Sequence, residues 1–137
     1  MSTSAIVRTC EKTNLWLNEL AVELDWDDRD MVFRALRVVL HQLRDRLPLT
    51  ESVQLASQLP MLIRGCYYEN WVPKNQPTHI KAESFVSEVG FAFPGDLTID
   101  PEHVTKAVFR VLARHVSSGE INDVVACLPD DYRPLWP

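Results

Sequence analysis

Apolar residues recur at spacings of three and four along much of the chain. The longest such run, Val32, Leu36, Val39, Leu40, Leu43 and Leu47, falls on one stripe of a helix. Asp27 or Asp28 is placed to cap its start, and Pro48, which lacks a backbone donor, to end it. A second stripe, Val104, Val108, Val111 and Leu112, follows Asp100-Pro101-Glu102, a cap with proline at the first helical position, and Gly119 supplies the stop. Shorter helices are predicted from Thr50 and from about Ser118. Each runs into a leucine followed by a proline, Leu59-Pro60 and Leu128-Pro129, where the helix should break and a new turn begin.

These elements recur in order. Trp16 to Ala21 lies on Phe85 to Gly90, Arg34-Ala35-Leu36 on Lys106-Ala107-Val108, Glu51 on Glu120, Leu59-Pro60 on Leu128-Pro129, and Arg64 on Arg133. The mismatches fall in loops, the first around Phe93-Pro94-Gly95-Asp96, where added length costs little. The pattern predicts an all-α fold: one globular helical bundle of two tandem pseudo-repeats with about four helices each. The first spans about 9–71 and the second about 81–137. The joining segment, about 72–80, has two prolines and no periodicity, so it reads as a linker within a single domain.

Composition narrows the class. At 137 residues the chain is long enough to bury roughly two-thirds of the surface its unfolded form exposes, without help from metal or disulfide. Hydrophobic residues make up 46% and charged residues 24%, the ordinary globular balance. The net charge of −5 argues against nucleic acid and anionic membranes as partners. No cationic leader or membrane-length apolar run is visible, and Cys10, Cys66 and Cys127 are odd in number and widely spaced. The expectation is a cytoplasmic protein whose cysteines are buried as small apolar residues.

The segment Tyr67-Tyr68-Glu69-Asn70-Trp71-Val72-Pro73 and the doubled Leu-Pro-x-x-x-Arg endings resemble a bacterial domain-of-unknown-function family, number 2267 (DUF2267), over nearly the whole chain. The resemblance implies a tandem helical fold and a bacterial origin, and supplies no activity, cofactor or catalytic residue. Asn70 stands where glycine is usual in that family. Asparagine is the non-glycine residue that best tolerates a left-handed backbone.

Two patches are the candidate binding residues. Tyr67, Tyr68, Glu69, Asn70 and Trp71 combine three large aromatics with polar groups, as a recognition surface does. The same residues equally suit a structural joint, with the aromatics buried and Glu69 and Asn70 closing a helix. Arg34, Arg37, His41 and Arg44 share the helix face opposite the first apolar stripe, and Lys106, Arg110 and Arg114 lie on the comparable side of the second. Such stripes bind phosphate or acidic partners when free, and pair with nearby acids otherwise.

The aspartates Asp25, Asp27, Asp28 and Asp30 suit a helix start and lack the glycine and distal glutamate of a calcium loop. No histidine has a metal-ligand spacing, and nucleophile elbows and phosphate loops are absent, so no cofactor or metal is implied. An enzymatic reading would have to run through His115, on the apolar stripe, and Cys127. Val38, Met31 and Phe109 lie off the stripes, as second-layer core or an exposed patch. The leading expectation is a non-enzymatic interaction or regulatory module that binds a protein partner, with a small anionic ligand as the alternative.

Overall fold

The computed structural model describes residues 2–73 and 76–137; Lys74 and Asn75, in the expected linker, lie outside the described residues. The order is α1 (Thr3–Leu24), α2 (Arg29–Arg46), α3 (Leu49–Ser57), α4 (Met61–Tyr68), α5 (Ala82–Gly90), α6 (Pro101–His115), α7 (Ser118–Cys127) and a 3-10 helix (Asp130–Leu135). No strand occurs among the described residues, so the fold is all-α.

Local chemistry sets the boundaries. Ser2 accepts from the Ala5 amide to open α1, and Asp25 ends it with a left-handed backbone, φ 56°. Of the two aspartates suited to cap α2, Asp28 does so, accepting from the amides of Asp30 and Met31. Asp100 caps α6, with Pro101 opening the helix. Gly119 does not stop α6. That helix ends at His115, and Gly119 lies in the first turn of α7, which Ser117 caps through the Glu120 amide. The two Leu-Pro sites both break a helix as expected, but with different sequels: an α-helix after Pro60 and a 3-10 helix after Pro129.

Helices α2 and α6 pack on each other, and both α1 and α5 pack across the pair. The predicted stripes supply much of the core: Val32, Leu36, Val39, Leu40, Leu43, Val104, Val108, Val111 and Leu112 are all buried. Helix α4 rests on α1 and α2, while α3 meets α7. Of the two alternatives open for the off-stripe residues Phe109, Met31 and Val38, the core one holds. Phe109 is fully buried, tilted against Phe85 and stacked 3.9 Å from Trp136, because the C-terminal segment folds back over α6. Met31 and Val38 are half-buried against the core. The cysteines depart from the expected burial: Cys10 is exposed, and Cys66 and Cys127 are only half-buried. No helix is long and apolar enough to cross a membrane among the described residues.

Candidate functional site

The two predicted patches turn out to face each other. Positions 37, 41 and 44 share one face of α2, and that face meets the C-terminal end of α4, whose last carbonyls have no partner within the helix. Arg44 Nη1 donates to the carbonyls of Tyr67 and Glu69, both at 2.8 Å, and its Nε pairs with Asp45 at 2.9 Å. His41 Nε2 bonds the Cys66 carbonyl at 2.6 Å, and Arg37 lies 3.6 Å from the Glu69 carboxylate. The cations thus sit at the negative end of the α4 dipole. Arg44, expected on an exposed face, is only 5% exposed, because α4 covers it. Burial first, and then the neighbouring arginines, hold His41 below its ordinary pKa.

The aromatic segment completes this joint. Tyr67 is fully buried, donates its hydroxyl to the Ser52 carbonyl at 2.9 Å, and has its pKa raised mainly by burial. Tyr68 stacks on Trp71 at 5.5 Å, and the chain turns at Asn70 with φ 58°, the left-handed backbone that the Gly-to-Asn departure had to tolerate. Trp71 Nε1 donates to Gln76 Oε1 at 3.2 Å. Gln76 in turn donates to the carbonyls of Leu47 and Arg44 at the end of α2. Gln76 carried no sequence signal, since its role depends on the return of the linker to α2. Of the first stripe, only Arg34 is exposed with no ion pair among the described residues.

On the second stripe, Lys106 pairs with Glu102 at 3.8 Å, and Arg110 and Arg114 both reach Glu23 on α1. His115 bonds Glu19 and stacks on Trp16 at 4.8 Å, so it fastens α1 to α6. Cys127 instead lies 3.9 Å from Glu51 on α3, and the cavity beside His115 does not reach it. The enzymatic pair suggested by sequence is therefore divided between two regions.

Where α3 meets α7, Glu51, Glu120 and Asp123 bring carboxylate oxygens within 4.8 Å of one another. Glu120 is buried, and desolvation together with Glu51 pushes its pKa up to about 8. Sequence inspection pairs Glu51 with Glu120 in register but gives no sign that the two meet.

One end of the molecule presents a different surface. The loops α1–α2 and α5–α6 come together there, with Trp26 edge-on to Phe93 at 5.7 Å. A cavity of about 380 Å³ between them is lined by Asp25, Asp27, Asp28 and Asp96. Hydrogen bonds from Thr98 hold Asp96 below the ordinary carboxylate range. Beside it, Phe91 is 71% and Leu97 99% exposed, around a second cavity of about 460 Å³. Gly95 gives this loop its turn, with φ 78°. Sequence reading placed an insertion here but did not single out its apolar residues.

The chain belongs to the family described as "Uncharacterized conserved protein (DUF2267)", whose model matches residues 13–135. No curated protein matches it.

Proposed function

We propose that this member of the DUF2267 family is a non-enzymatic helical interaction module that binds a protein partner through the end formed by the α1–α2 and α5–α6 loops. The observation that carries the reading is the pair of strongly exposed apolar side chains, Phe91 and Leu97, next to a group of aspartates. Large apolar residues so exposed cost solubility and gain a role when a partner covers them. The partner they fit is a basic amphipathic segment, with apolar side chains for Phe91 and Leu97 and Lys or Arg for Asp25, Asp27, Asp28 and Asp96. The sequence match between the two halves supports the choice of site. The α5–α6 loop holds the insertion around Phe93 to Asp96, and so marks where the halves diverge. The anion-binding alternative has less support, because Arg37, His41 and Arg44 are engaged within the fold.

A labelled synthetic helix of leucine and lysine, and its glutamate counterpart with the same leucine spacing, test this by fluorescence anisotropy. The basic peptide should bind saturably and weaken with salt. The Phe91→Ser/Leu97→Ser double variant should bind it roughly tenfold less tightly, as expected for loss of an apolar anchor. Equal binding of both peptides, or no effect of the double variant, would remove this surface from consideration.

A further inference from the structure

The junction of α3 and α7 contains polar groups that the fold leaves without partners. Glu51 Oε2 and Glu120 Oε2 are both buried and neither accepts from a donor elsewhere in the fold, so the two carboxyls can bond only to each other through a proton; Glu120 as a whole is 8% exposed. Asp123, one turn beyond Glu120 on α7, is exposed and closes the group from the solvent side. None of the three joins an ion pair among the described residues. With the Glu120 pKa raised to about 8, a proton between Glu120 and Glu51 compensates the pair at neutral pH, and a bound positive ion can take its place.

We propose that Glu51, Glu120 and Asp123 bind a hard divalent cation of the Mg²⁺/Mn²⁺ class, which clasps α3 to α7. Oxygen-only donors favour such ions over the softer ones, and the open side at Asp123 leaves room for the waters these ions retain. Opposite ligands of an octahedral ion stand roughly 4.2 Å apart, twice a bond of about 2.1 Å. The present spread of 4.8 Å therefore closes with a small movement of the exposed Asp123 side chain. The Cys127 thiol, 3.9 Å from Glu51, is a soft donor and no part of this hard donor set.

Mn²⁺ is the probe. The EDTA-treated full chain is titrated while the six-line electron paramagnetic resonance signal of free Mn²⁺ is followed, with Mg²⁺ as competitor. One saturable site that Mg²⁺ displaces is expected. Glu51→Gln and Glu120→Gln should each weaken it by roughly tenfold or more, and the Asp27→Asn/Asp96→Asn control at the far end should leave it unchanged. Circular dichroism verifies that each variant is folded. Asp123→Asn, at an exposed position, is the substitution least able to disturb folding and should weaken binding as well. Absence of a saturable site, or binding unaffected by all three junction variants, would overturn the proposal.

Discussion

Two interfaces in this molecule bring charged side chains against a neighbouring helix, and they are opposite in character. Between α2 and α4, cations meet the free carbonyls of a helix end, and Arg44 is buried with bonds to Tyr67, Glu69 and Asp45. Between α3 and α7, carboxylates meet carboxylates, and two oxygens have no partner. Desolvation acts against the charge at both. Donors from the fold offset it at the first, which is a fastening; at the second the carboxylates have only each other and the proton that the raised Glu120 pKa retains.

The largest expected effect tests the fastening. Arg44→Ala strands two carbonyls and the Asp45 carboxylate, and should cost about 3 kcal/mol in urea unfolding, the range for breaking a buried, bonded charge. A loss below roughly 1 kcal/mol would erase the contrast. The reverse sign is expected at the other interface. In metal-free protein above about pH 8, where Glu120 would ionise, Glu120→Gln keeps the shape, removes the repulsion and offers Glu51 a donor, and so should stabilise by about 1 kcal/mol, with little effect at lower pH. A destabilised variant would mean that the carboxylate is satisfied in a way its surroundings do not reveal.

The paired Leu-Pro-x-x-x-Arg endings sharpen the comparison within one motif. Arg64 donates to the carbonyls of Ala56 and Leu59 at 3.0 Å, closing α3, whereas Arg133 is mostly exposed and lies 3.9 Å from Asp130. Arg64→Ala should cost about 1 kcal/mol and Arg133→Ala less than about 0.5 kcal/mol, measured side by side by denaturant unfolding. Equal losses would show that position in the motif, rather than bonding, sets the contribution.

What could be read in advance divides along the same physical line. Period and caps are local, so the stripes of α2 and α6, the caps Asp28 and Asp100, and both Leu-Pro breaks were legible in the chain. The place of a polar side chain across a tertiary contact is not local. A residue opposite an apolar stripe reads as solvated, and Arg44 is buried only because α4 returns over it. Phe109 is covered by a C-terminal segment whose path no spacing specifies. The aromatic segment and the basic stripe were each singled out, yet nothing in their spacing foretold that they bond to each other. The meeting of Glu51 with Glu120 required knowing which helices touch, and Phe91 and Leu97 stand out only once their neighbours fail to cover them.

The smallest effect probes the one titratable member of the α2–α4 fastening. His41 faces Arg37 and Arg44 from its own helix and the Cys66 carbonyl and Glu69 from α4, and burial holds its folded pKa below the ordinary 6.5. The neutral ring is the form that the fold favours, so its contribution is complete above pH 6.5. As pH falls through that value the unfolded chain takes up the proton first, and stability declines until the folded ring also titrates. His41→Gln keeps a donor for the Cys66 carbonyl but removes the titration. Its unfolding free energy should match the wild type near neutral pH and fall less steeply on acidification. Acid limbs of equal slope would show that the ring titrates alike in the folded and unfolded chain, and that the joint owes nothing to keeping it neutral.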